Sequence, residues 1–162
     1  MSKDHASIII CAKFLKIDSY IGITFDFDSR KWTNESDYVN VKKSENGICS
    51  SEIGNHPDYK GQNLFLAPYC ILNKRGKASG LILHELIHAW GFYHEHSRPD
   101  RNKYITVYKE HMNESNWQSF EIIKEDAKTF GLPFDYGSIM HYYSWSRFGN
   151  NSYNIESKVM KK

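Results

Sequence analysis

His84, Glu85, His88 and His94 are the residues of this chain whose types and spacing point most directly to chemistry. Histidines four apart on a helix present their rings on one face, one turn above the other. Both imidazoles then reach a single ion at about 2.0–2.1 Å. Glu85 stands about 100° around the helix from His84, so it falls beside such an ion rather than on it. From there it can take a proton from activated water. Gly91 ends the helix and reverses the chain, and His94, three residues on, swings back as a third ligand. Three protein ligands and an open fourth position describe catalytic zinc, one Zn2+ per chain. A bare HExxH arises by chance in about one chain in fifty of this length, which is weak evidence. Requiring Gly91 and His94 as well lowers that to about one in ten thousand. A rival set takes its third ligand from a later carboxylate, with Glu110, Glu114 and Glu121 in range. It leaves Gly91 and His94 unexplained.

These residues need a helix over Ser79–Phe92, and Leu83, Leu86, Ile87 and Trp90 recur there at helical spacing. Ser79 is a natural cap for its start. Upstream, His5–Lys16 reads as a short helix with an apolar face. Gly22–Phe27, Asp37–Val41 and Asn63–Ala67 read as strands, the last closed by Pro68. Asn46-Gly47, Gly54-Asn55 and Pro57-Asp58 mark turns between the second and third strands. Downstream, Asn113–Asp126 reads as a polar helix and Pro133–Tyr143 as a tight turn region. A strand-rich half with helices, followed by a half of turns, is an α+β pattern.

At 162 residues the chain is long enough for one domain with a real core. The net charge of +2 is too small to argue for nucleic acid or an anionic membrane. No apolar run approaches the roughly 20 residues of a membrane helix, and Ile8-Ile9-Ile10 is too short for a signal-peptide core. Cys11, Cys49 and Cys70 are an odd set, so at least one is unpaired within the chain. Sequons at Asn34, Asn113 and Asn150 lean slightly towards secretion.

The run from His84 to Tyr104 (HELIHAWGFYHEHSRPDRNKY) resembles the signature of the astacin family of metzincin zinc endopeptidases. It includes Phe92, the His94-Glu95 pair, Arg98 and Asp100-Arg101. Ser138-Ile139-Met140-His141-Tyr142 resembles that family's Met-turn. More thinly, Asp37-Tyr38-Val39, Cys49 to Gly54 and Leu64 to Cys70 resemble its N-terminal half, so the likeness covers most of residues 8 to 158. It implies a two-lobed metzincin fold: a lobe of about residues 1–91, with a twisted mixed sheet and the active-site helix, and a mostly irregular lobe of about 92–162. It implies that His84, His88 and His94 bind zinc and that Glu85 is general base and acid. It makes Met140 a hydrophobic floor beneath the metal and Tyr142 an oxyanion stabiliser. Leu64, Phe65 and Leu66 become the substrate-binding edge strand, Cys49 and Cys70 a disulfide, and Glu95 an anchor for a mature N-terminus.

The resemblance implies a secreted peptidase acting on protein or peptide substrates. It also exposes departures. The chain carries no recognisable signal peptide, begins close to the family's first element and stops before its terminal cysteine-bearing helix. Tyr20 occupies the place of that cysteine's partner, and Cys11 has no counterpart. These leave a second expectation open: an incomplete or catalytically inactive zinc-binding relative.

Overall fold

The computed structural model describes residues 8–17, 20–26, 38–54, 61–71, 80–124, 127–144 and 152–159. By internal contacts the chain divides into two compact units, Met1–Phe92 and Tyr93–Lys162.

In the first unit, β1 (Ile8–Ile17) and β2 (Tyr20–Asp26) form an antiparallel hairpin, with Ile17 opposite Tyr20. The helix expected over His5–Lys16 is therefore a strand from Ile8 onward, and residues 5–7 lie outside the described residues. The three consecutive isoleucines explain the difference. β-branched side chains favour extended backbone, and Ile8, Ile9 and Ile10 pair with Val41, Asn40 and Val39 of β3 (Val39–Lys43). β1 thus has partners on both sides. β3 runs parallel to β5 (Gln62–Leu66), and the two-residue β4 (Ser50–Ser51) lies antiparallel on the far side of β5. The mixed sheet has the order β2-β1-β3-β5-β4.

This order corrects the reading of Leu64, Phe65 and Leu66 as an edge strand. Leu64 faces Val41 on one side and Ser51 on the other, and Phe65 faces Lys42 and Ser50. The inner position follows from burial, since Leu64 is wholly enclosed, and parallel strands inside a sheet favour apolar residues. The edge belongs to Ser50–Ser51.

A short helix, α1 (Pro68–Ile71), begins on Pro68, whose fixed φ and missing N–H suit a first helical position. The site helix, α2 (Gly80–Ala89), follows; Ser79, its expected cap, is outside the described residues. Leu86 and Ala89 pack on Val39, Val41, Leu64 and Leu66, alternate residues that share one face of β3 and β5. A disulfide joins Cys49, just before β4, to Cys70 of α1.

The second unit has little regular structure. β6 (Ile105–Val107) pairs antiparallel with β7 (Ile155–Ser157). Ile105, Met112, Phe120, Phe134 and Ile155 form its core, with Tyr104, Val107 and Tyr142 against it. The polar helix expected over Asn113–Asp126 is a 3-10 helix over Glu114–Phe120, with no helix among the described residues beyond it. Residues with mediocre helix propensity, Ser115, Asn116 and Ser119, offer little to extend it. Its end is instead fixed by burial of Phe120.

Candidate metal centre

α2 ends in a Schellman arrangement. Phe92 N–H bonds back to the Ile87 carbonyl and Gly91 N–H to that of His88. Gly91 has φ of 97°, a conformation glycine adopts without a Cβ penalty. Gly54 presses on it from the loop after β4: a Cβ on Gly54 would stand 3.4 Å from the Gly91 Cα. Gln62 of β5 finishes the helix end by donating its amide to the Ala89 carbonyl at 2.7 Å.

That turn has a second consequence. It brings the Phe92 carbonyl 2.7 Å from Nδ1 of His88. Nδ1–H therefore donates to a carbonyl, which leaves Nε2 as the ligand atom and fixes the ring's orientation. Burial pushes the His88 pKa down, while the Phe92 carbonyl opposes this and neighbouring His84 adds to it. The outcome favours the neutral imidazole a metal needs. The His84 and His88 rings lie 4.7 Å apart, edge to face.

His84, His88 and His94 each offer one ligand atom, and these all lie within 4.8 Å of one another. No other group of three His, Cys, Asp or Glu side chains gathers in this way among the described residues. The rival carboxylates do not join it, and Glu121 is paired with Lys109. Three imidazole nitrogen donors with no carboxylate or thiolate suit zinc with an open position.

Glu85 follows His84 on the buried side of α2, with 5% of its surface exposed. Its pKa is raised to about 7, because burial disfavours the carboxylate; the Ser51 N–H of β4 hydrogen-bonds it and works the other way. A cation held by the three histidines would lower it again.

Within the second unit, Glu95 N–H donates to the Met140 carbonyl at 2.9 Å. The turn leading to Met140 is built by side chains. Asp135 Oδ1 accepts from Gly137 N–H at 2.8 Å, and Ser138 Oγ accepts from Met140 N–H at 3.1 Å. Met140 itself is buried. Tyr142 packs its ring 4.6 Å from that of His94. Glu95 Oε1 accepts from Arg98 at 3.0 Å and from Asp135 N–H at 2.8 Å. Arg98 also grips Asp100 through two bonds and the carbonyls of Leu132 and Pro133.

Sequence reasoning missed three participants: the Phe92 carbonyl on His88, the Ser51 N–H on Glu85, and His96. His96 is fully buried beside His94 and Tyr142. Only its place within the HEHSR run could have flagged it.

The chain matches the model of Astacin (Peptidase family M12A) over residues 2–161. It is 43% identical over 114 residues to zinc metalloproteinase dpy-31 of Caenorhabditis elegans, covering 68% of this chain and 18% of that protein. It is 41% identical over 111 residues to astacin-like metalloprotease toxin 4 of Loxosceles laeta, covering 68% of this chain and 90% of that one. Among solved structures, it is similar to high choriolytic enzyme 1, a hatching enzyme zinc-protease of Oryzias latipes. The TM-score is 0.60 at 32% identity, over 79% of this chain and 59% of that one. The chain thus spans about a fifth of the length of dpy-31. The α+β fold, the three-histidine group on and after α2 and these likenesses agree, and the chain belongs to the astacin family.

Proposed function

We propose that the chain is a zinc endopeptidase that hydrolyses peptide bonds in protein or peptide substrates outside the cell. The observation that carries this is the gathering of His84, His88 and His94 on and after the helix that also holds the buried Glu85. The Cys49–Cys70 bond fits an oxidising compartment, and no helix among the described residues is long and apolar enough to cross a membrane.

Zinc, when held by the three histidines, supplies a Lewis acid that polarises the scissile carbonyl and acidifies water. Glu85 takes the proton of the attacking water as the new C–O bond forms. It then delivers that proton to the amine nitrogen as the C–N bond breaks. The Tyr142 phenol donates a hydrogen bond to the oxyanion that develops on the carbonyl oxygen. In this reading the buried Met140 serves as the apolar floor of the metal group. An extended substrate adds its backbone to the open edge of the sheet at Ser50–Ser51, since β4 closes the far side of Leu64 and Phe65.

The test is cleavage of a fluorogenic peptide library by the zinc-loaded chain, with Glu85→Gln and a chelated sample as controls. Glu85→Gln is expected to retain zinc and lose about 10²–10⁴-fold in kcat. Stoichiometric zinc with no turnover in the parent chain would instead identify an inactive zinc-binding relative.

A further inference from the structure

His96 has both ring nitrogens committed. Nε2 lies 3.0 Å from the carbonyl oxygen of Ser119, and Nδ1 lies 3.3 Å from the backbone nitrogen of Tyr142. A carbonyl only accepts and a backbone N–H only donates, so these partners fix the proton. Nε2–H donates to Ser119, and the Nδ1 lone pair receives the Tyr142 N–H. These two partners hold the ring in one tautomer. It also lies 5.0 Å from the His94 ring at 26° and 4.2 Å from the Tyr142 ring at 35°. Its main chain is held too, because Arg101 donates to the His96 carbonyl at 2.9 Å and also to that of Phe120.

His96 therefore touches, through separate atoms, the third histidine of the metal group, the main chain of the tyrosine and the end of the 3-10 helix. A side chain present only to fill space would need none of these polar matches. We propose that His96 is a positioning residue: its Nδ1 lone pair holds the Tyr142 main chain so that the phenol stays against His94. This rests on the reading of Tyr142 as the oxyanion donor.

Two amide substitutions separate this role from packing. Asparagine puts its amide oxygen at the place of Nδ1, whereas glutamine puts its amide one bond further, at the place of Nε2. His96→Gln, which loses the acceptor for Tyr142 N–H, is expected to lower kcat about tenfold with KM and zinc content unchanged. His96→Asn, which keeps it, is expected to stay within about threefold. Equal losses in the two variants would overturn the proposal. Long-range 1H–15N NMR of the parent chain, zinc-free and zinc-loaded, reads the tautomer without any turnover, and decides the matter if a variant fails to fold. A proton on Nε2 is expected; one on Nδ1 overturns the assignment. Tyr142→Phe then distinguishes the two layers. If it leaves kcat at the parent rate, the oxyanion reading fails. If the His96→Gln loss persists in the Tyr142→Phe background, His96 does not act through Tyr142 and this proposal fails.

Discussion

His88 and His96 are both buried histidines with a ring nitrogen on a backbone carbonyl, yet they are held in opposite ways. His88 sits on a regular helix, and the carbonyl it uses belongs to Phe92, four residues away. His96 sits in a single 3-10 turn, Glu95–Ser97, and its partners are 23 and 46 residues away. In the first case the chain's local geometry places the ring almost by itself: helical period, then a glycine turn. In the second, nothing local dictates the position, and buried polar side chains supply it by reaching across the unit. Order in the first unit comes from ladders and apolar packing. The second also has an apolar core and a short ladder, but its loops are held by a few side-chain hydrogen bonds to backbone carbonyls, and each of those should be correspondingly costly to lose.

Arg101 gives the sharpest test of that distinction. Its guanidinium is buried and donates to the carbonyls of His96 and Phe120. Burial pushes its pKa down, with Glu121 opposing, so its charge is held at a desolvation cost. Arg101→Met relieves that cost but removes the hydrogen bonds to two buried carbonyls, each worth about 1–3 kcal/mol. The expected net loss is about 3 kcal/mol in urea unfolding, with amides of Ile105–Val107 and Ile155–Ser157 losing exchange protection first. A loss below about 1 kcal/mol, or equal deprotection along α2, would show that the loops do not depend on this residue.

The counterpart in the first unit is covalent. Cys49→Ser with Cys70→Ser opens a loop with a sequence separation of 21. The chain-entropy model gives roughly 3 kcal/mol for a loop of that size. The Ala67 N–H, which lies 3.1 Å from the Cys49 sulfur, loses a weak acceptor as well. The α2 core on β3 and β5 does not include either cysteine. Zinc content should therefore stay at one per chain at temperatures below the new midpoint. Loss of zinc at full folding would mean that β4, and the Ser51 N–H it gives to Glu85, matters more to the metal group than the apolar packing does.

The same contrast explains what could be read from the sequence. The α2 group was legible because helical spacing converts directly into geometry, and Gly91 announced its own turn. β2, β3 and β5 were found to within two residues from alternation and turn residues. β1 was misread because an apolar run such as Ile8-Ile9-Ile10 fits either period, and its partners on both sides decide the outcome. β4 is too short to carry a periodic signal, so the edge was assigned to the better-looking strand, β5. In the second unit the Met-turn reading of Ser138–Tyr142 rests on resemblance alone. β6 with β7, and the bonds of His96 and Arg101, depend on contacts that no local pattern encodes.

The smallest expected effect concerns Asp100, a partly exposed member of the loop network. Its carboxylate takes two hydrogen bonds from Arg98, and that partner, chiefly, lowers its pKa. A depressed folded-state pKa stabilises the fold fully above the unfolded carboxylate value, about 3.9. The contribution is lost as pH falls through the lower, folded value. On the scale of solvent-accessible ion pairs it is worth about 0.5–1 kcal/mol. Asp100→Asn should thus cost that much near neutral pH and progressively less below pH about 4, so parent and variant stability curves converge in acid. Curves that stayed parallel down to low pH would assign the cost to lost hydrogen-bond geometry rather than charge. Arg98 also holds Glu95, Leu132 and Pro133, so one missing partner leaves it still anchored. That redundancy separates Asp100 from Arg101, whose single buried guanidinium bonds the carbonyls of both His96 and Phe120.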